Sequence, residues 1–132
     1  MQRYLLAVLA GFVAWSVMDF VIHGIILASA YASSPQLWRP MAEMKMGLMY
    51  GTVLVAAAAF VGIYAWFIAE RSVKRGLQYG LVFGIGAGMS MGFGSYSVMP
   101  LPSAIAWWWF LGSVAEAVVA GWITGMIVKK QG

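Results

Sequence analysis

The amino-acid sequence predicts an all-α integral membrane protein, with four transmembrane helices in an antiparallel bundle and both termini in the cytoplasm. Apolar residues make up 63% of the 132-residue chain and charged residues only 9%, which is far from the composition of soluble domains. Four apolar stretches are each long enough for the roughly 20 residues that a helix needs to cross a bilayer. We therefore expect a single membrane domain, residues 1–132.

The predicted spans cover residues 4–31, 47–69, 76–98 and 104–128. A Ser- and Pro-containing segment at 33–40 ends the first span, a charged segment at 70–75 separates the second from the third, and a Pro-Leu-Pro turn at 100–102 precedes the fourth. Proline disfavours the continuation of a helix, so these segments are expected to be connections between spans.

The basic residues predict the orientation, because Lys and Arg in short loops stay mostly on the cytoplasmic side. One end of the predicted spans carries six of them: Arg3, Arg71, Lys74, Arg75, Lys129 and Lys130. The other end carries only Arg39 and Lys45. Both termini are therefore expected in the cytoplasm, and the membrane is expected to be the bacterial inner membrane.

Aromatic and basic residues at the predicted outer end are typical of interface anchors. Trp38 lies next to Arg39, and Trp107 and Trp108 open the fourth span. Tryptophan and arginine are often found at the headgroup level of a bilayer. We interpret them as an aromatic belt in preference to a binding cage.

Glycine recurs at every fourth position of the third span, and residues four apart share one face of a helix. The residues of this face are Gly76, Gly80, Gly84, Gly88 and Gly92, and the fourth span carries Gly121 and Gly125 at the same spacing. Small residues let membrane helices approach closely. The third span is expected to pack against the fourth span or against a second copy of the chain; the alternative is a mobile helix in a transporter.

Three ionisable side chains interrupt the apolar spans: Asp19 and His23 in the first and Glu116 in the fourth. Such groups are costly in a bilayer, face the bundle interior and mark functional sites. Asp19 and His23 are four residues apart, so they lie on one helix face. Asp19 and Glu116 are predicted at similar depths, so they would meet if the first and fourth spans are neighbours.

Two carboxylates close together in a low dielectric do not both ionise easily, so they share a proton or bind a cation. The leading hypothesis is a proton- or cation-coupled transporter or channel, in which Asp19 and Glu116 bind or relay the cation and His23 tunes or gates it. The structural alternative is that each group hydrogen-bonds within the bundle and stabilises it.

Methionines suggest a second kind of site, because thioether sulfur and imidazole both suit copper. The candidate ligands are His23, Met44, Met46, Met49, Met89 and Met91. The plainer interpretation is that methionine is flexible apolar filler. An intramembrane copper- or haem-binding protein is a second alternative function. With one histidine per chain, a bis-histidine haem site requires a homodimer, and a His/Met pair is the other arrangement. The sequence requires no cofactor, and the absence of cysteine excludes disulfides and thiolate metal sites.

The same sequence features predict the binding partners of the protein. The expected partners are the lipid bilayer and either further copies of the chain, as a homo-oligomer, or the other subunits of a membrane complex. A non-catalytic accessory subunit of an electron-transfer or photosynthetic assembly is the main rival to transport. Nucleic-acid binding is not predicted, since the few basic residues lie at membrane boundaries, and no catalytic motif predicts an enzyme.

In size, number of spans and possession of an intramembrane glutamate, the chain superficially resembles the small multidrug resistance transporters. That family carries its key glutamate in the first span. This chain has Asp19 there and Glu116 in the fourth span, so no motif of the family carries over, and membership is not assigned.

Overall fold

The computed structural model describes residues 1–129. This part of the chain is all-helical, with 84% helix and no strand. Four helices are long and apolar enough to cross a membrane, and we call them the first to fourth spans: Gln2–Ile26, Met46–Phe67, Val73–Val98 and Ser103–Ile127. The predicted all-α fold with four candidate membrane helices is thereby confirmed. Lys130, which was used to predict the orientation, lies outside the described residues.

The first span is shorter than predicted. It ends at Ile26 instead of residue 31, because Leu27 leaves helical geometry with φ −92° and ψ 1°. A short helix, Ala28–Ala32, then runs in a new direction from the end of the span. Hydropathy alone does not reveal this break, because the residues on both sides of Leu27 are apolar or small.

Two spans contain π-helical segments. The first span is an α-helix over Gln2–Asp19 and a π-helix over Phe20–Ile26. The third is an α-helix over Val73–Met89, followed by a π-helix over Ser90–Gly94 and a last α-helical turn. Wider π turns are rare and are often found at functional sites.

One end of the molecule, which we call the basic end, contains the start of the chain and the connection between the second and third spans. There the ring of Tyr4 stacks on Trp66, with centroids 5.3 Å apart. The Tyr64 hydroxyl accepts a hydrogen bond from the Ser72 N–H (2.8 Å) and donates one to the Ser72 carbonyl oxygen (2.7 Å). Arg3 and Arg71 lie at this end.

The opposite end, which we call the tryptophan end, contains the connection between the first and second spans. Two short 3₁₀ helices, Pro35–Leu37 and Met41–Glu43, shape this connection. The ring of Trp38 lies edge-on against Trp109 of the fourth span, with centroids 5.9 Å apart. This contact holds the connection over the start of the fourth span.

The third and fourth spans pack along the glycine face. A Cβ at Gly76 would meet the Gly121 carbonyl oxygen, and one at Gly80 would meet the Ala117 carbonyl oxygen. A Cβ at Gly92 would meet the Ala106 carbonyl oxygen at 2.5 Å. The contacts move toward lower numbers on the fourth span as they rise on the third, so these two helices run in opposite directions.

An apolar core fills the half of the molecule near the basic end. Phe60, Val61 and Tyr64 of the second span are almost completely buried there, together with Ala7 and Ala117. By contrast, the part of the second span toward the tryptophan end, residues 46–56, is exposed at every position except 53. Much of the apolar surface of all four spans faces outward, as expected for contact with lipid.

Candidate functional site

A cavity of about 280 Å³ lies where all four spans meet. Its lining combines polar groups with aromatic rings. The polar lining side chains are Asp19, His23, Thr52, Ser113 and Glu116. The aromatic ones are Trp15, Phe83, Trp108 and Trp109. The three ionisable residues that the sequence singled out therefore line one cavity, although they come from two spans.

Asp19 and Glu116 face each other in this cavity. The Glu116 side chain lines the same part of the cavity as the Asp19 carboxyl and the Trp15 ring. Two carboxyl groups hydrogen-bond to each other only when one of them carries a proton. Glu116 is only 6% exposed, and its buried Oε1 makes no hydrogen bond to any residue in the described range 1–129. A buried acceptor of this kind is costly unless a proton or a ligand satisfies it.

His23 links the carboxyl pair to the tryptophan end. Its Nε2 lies 3.6 Å from Asp19 Oδ1, one helical turn away. Its Nδ1 lies 2.6 Å from the Tyr31 hydroxyl. The two ring nitrogens thus face different partners, the Tyr31 hydroxyl and the Asp19 carboxyl.

Tyr31 is the residue that sequence reasoning missed. Trp109 Nε1 donates a hydrogen bond to its hydroxyl at 2.7 Å, so the hydroxyl proton is available to donate to His23 Nδ1. Burial raises the pKa of the Tyr31 hydroxyl, which keeps it protonated. Tyr31 reaches His23 only because the chain turns at Leu27, and no spacing in the sequence signals that turn.

Trp38 covers this group of side chains. Its ring lies edge-on to Tyr31, with centroids 4.9 Å apart. Its Nε1 donates to Ser34 Oγ at 3.1 Å, and Ser34, which is buried, donates to the Ala30 carbonyl oxygen at 3.0 Å. We call Tyr31, Trp38 and Trp109 the aromatic cover, because they separate His23 from the tryptophan end.

The other predicted anchors have different surroundings. Arg39 is exposed. Trp107 is 54% exposed and packs edge-on against Phe93 at 4.9 Å. Trp108 is partly exposed but also lines the cavity. The sequence did not distinguish these tryptophans, because their positions differ only by their rotation around the fourth span.

The methionines predicted as metal ligands do not gather at one point. Met91 lines the cavity with His23, and its sulfur lies 4.0 Å from Ser113 Oγ. Met44 and Met49 line a separate surface depression with Arg39 and Lys45. Met46 and Met89 are exposed. Among residues 1–129, no three His, Asp or Glu side chains form a group that could hold a metal ion.

The cavity is closed toward the basic end and more open toward the side. The Tyr79 hydroxyl donates to the Phe60 carbonyl oxygen at 2.8 Å, and the Phe60 and Phe83 rings meet edge-on at 5.1 Å, so the second and third spans touch there. Farther toward the tryptophan end, the lining residues Ala56 and Ala87 of these two spans are exposed.

The glycine-lined contact helps to position the site, because it brings the backbones of the third and fourth spans close together beside it. Gly112 has a similar role: a Cβ there would lie 2.9 Å from Ile22 Cδ1 of the first span. Close approach of the first and fourth spans at this level brings Asp19 and Glu116 together.

No model of a known protein family matches this chain, and neither does any curated protein or solved structure.

Proposed function

We propose that this protein is a small membrane transporter that carries a cation, coupled to protons, through a site at Asp19 and Glu116. The observation that carries the proposal is the Glu116 carboxyl, which is buried between spans with one oxygen unpaired and which faces a second carboxyl. A proton or a cation satisfies such a pair, and only one of them is needed at a time. Competition between proton and cation for one site couples their movement.

The shape of the cavity supports a carrier over an open channel. The packed core around Phe60, Val61 and Tyr64 lies between the cavity and the basic end. An ion that has reached Glu116 therefore needs a change of conformation to leave on the basic side. On the opposite side of the cavity, His23 and Tyr31 form the proton path toward the tryptophan end.

The same proposal includes an orientation and an assembly. The basic end faces the cytoplasm, which follows the distribution of Lys and Arg, and the membrane is a bacterial inner membrane. The four spans form one antiparallel bundle. The assembly that we propose is a homo-oligomer.

The test is proton and cation flux in liposomes that contain the purified protein. We expect Glu116→Gln to abolish coupled flux, because the amide cannot release a proton, while the protein still purifies as the same assembly. Asp19→Asn should reduce flux to a similar extent. A hydrophobic carbodiimide, which reacts with protonated carboxyl groups, should label Glu116 and block flux in the unmodified protein.

The chain supplies matched controls, since its only other acidic residues, Glu43 and Glu70, lie outside the spans. Glu43→Gln and Glu70→Gln should leave flux unchanged. Normal transport by an assembled Glu116→Gln protein would refute the proposal.

A second candidate function is that of a non-catalytic subunit of a larger membrane complex. The small size of the chain suits that role, since most of residues 1–129 lie in the four spans. Purification in mild detergent separates the two. A homo-oligomer supports the transporter, whereas stoichiometric co-purification with other subunits and no flux supports the accessory role.

A further inference from the structure

We propose that the cargo of the cavity is a small organic ammonium ion, whose charge lies against the Asp19–Glu116 pair and whose apolar part packs against the aromatic lining. This inference rests on the proposed function and names the class of cation. It follows from the charge, lining, size and opening of the cavity.

The charge of the lining fits a cation. Among residues 1–129, Asp19 and Glu116 are the only acidic side chains that line the cavity, and no lysine or arginine of this range lines it. The nearest imidazole, His23, already faces Asp19. Glu116 Oε1 is buried without a hydrogen-bond partner among the described residues, so it is the atom that a cationic ligand would satisfy.

The aromatic lining favours the binding of an organic cation over that of an inorganic one. Trp15 lies beside Glu116, and Phe83, Trp108 and Trp109 line other parts of the same cavity. The face of an aromatic ring attracts an organic cation, and tryptophan does so most strongly. An ammonium ion with alkyl or aryl groups would use both the rings and the carboxyl pair.

The polar groups of the cavity are not arranged as a metal centre. Hard ions such as Ca²⁺ are bound by several oxygen ligands that surround one point. The side chains of the lining offer the two carboxyls and the hydroxyls of Thr52 and Ser113. Within residues 1–129, no group of three His, Asp or Glu side chains is close enough to hold a metal.

The size and the opening limit the ligand further. A volume of about 280 Å³ lies just below the range of roughly 300–1,000 Å³ typical of pockets for drug-sized ligands. The exposed lining residues Ala56 and Ala87 lie on the second and third spans, within the membrane-crossing length of both. A small amphiphilic cation could enter there from the bilayer, whereas a strongly hydrated inorganic ion could not.

The experiment compares benzyltrimethylammonium with 2,2-dimethylpropylbenzene, a neutral molecule of the same shape in which carbon replaces the charged nitrogen. Binding to the unmodified protein in lipid nanodiscs is followed by tryptophan fluorescence and by calorimetry. We expect the cation to bind at least about tenfold more tightly than the neutral molecule. We also expect its affinity to rise with pH, because it competes with the shared proton.

Two variants with matched controls locate the site. Glu116→Gln and Trp108→Leu should each weaken benzyltrimethylammonium binding by about tenfold or more. Glu70→Gln and Trp107→Leu should leave it unchanged, since neither residue lines the cavity.

Equal binding of the cation and its neutral counterpart would overturn the inference, and so would competition by Na⁺ or K⁺ at equal concentration. These measurements need no mutant, so they remain decisive if a variant does not fold. If protons cross the membrane through Glu116 but no ammonium ion binds, the inference fails and proton transport stands. If the ammonium ion binds but nothing is transported, the site stands and the proposed function fails.

Discussion

At the scale of single residues, the central observation is a sequence of polar contacts from the tryptophan end to the bilayer interior. The chain of groups runs from Trp109 to Tyr31, His23 and Asp19, with distances of 2.7, 2.6 and 3.6 Å, and reaches Glu116 beside Asp19. Each neighbouring pair joins a group that can donate a proton to one that can accept it. Tyr31 supplies the only hydroxyl among these five residues, so replacing it is the most direct way to interrupt the series of contacts.

Tyr31→Phe should lower proton-coupled flux by about tenfold or more, because it removes the hydroxyl that bonds both His23 and Trp109, and each such bond contributes roughly 1 kcal/mol. The ring remains in the aromatic cover, so the fold should be retained. Flux in liposomes measures the effect, and Tyr96→Phe is the control because Tyr96 is exposed on the third span. Unchanged flux in Tyr31→Phe would remove Tyr31 from the proton path.

Part of the site was predictable from the sequence. Asp19 and His23 were expected to share a helix face because four residues separate them, and they do lie one turn apart, 3.6 Å from each other. Tyr31 and Trp109 could not be predicted, because their contact depends on the backbone turn at Leu27 and on the rotation of the fourth span. Neither the turn nor the rotation can be recognised from hydropathy or from the spacing of residues in the sequence.

At the scale of elements, the contact between the third and fourth spans depends on the absence of side chains. Backbone atoms of the fourth span occupy the places where Cβ atoms would lie at Gly76, Gly80 and Gly84. A backbone, unlike a flexible side chain, does not move aside without moving its helix. The sequence predicted this face from its four-residue spacing, but left open whether another span or another copy would cover it.

Gly80→Val should destabilise the protein by about 3 kcal/mol or more, because overpacking forces the two backbones apart. Gly86→Val is the matched control, since a Cβ at Gly86 has no neighbour within 4 Å. Thermal unfolding in detergent measures the difference. Equal stability of the two variants would mean that the third and fourth spans do not pack along this face.

At the scale of the whole molecule, the four helices were predictable from length and hydropathy, apart from the early end of the first span at Ile26. The cavity was not, because it depends on how the four helices are arranged around Asp19 and Glu116. The first and second spans meet near the basic end, where the Tyr4 hydroxyl donates to the Ala58 carbonyl oxygen at 3.1 Å. The space beside Asp19 opens beyond that contact.

The orientation can be tested by labelling single introduced cysteines. Background labelling should be low, because the chain has no cysteine of its own. Gln36→Cys, at the tryptophan end, should react with a membrane-impermeant maleimide in intact cells. Glu70→Cys, at the basic end, should react only after the membrane is permeabilised. Both positions are exposed, so a difference in labelling reports the side of the membrane. The reverse pattern would place the basic end outside.

The π-helix Phe20–Ile26 has a mechanical consequence. Its backbone hydrogen bonds reach one residue farther than those of an α-helix, as in the bond from the Leu27 N–H to the Ile22 carbonyl oxygen at 2.8 Å. If one turn rewinds to α-helical bonding, the side chains beyond it rotate about the axis by up to about 100°, one residue step. His23 would then turn away from Tyr31 or from Asp19. An exchange of backbone hydrogen-bond partners within one turn of the first span would therefore be enough to break the contact between His23 and one of its two neighbours.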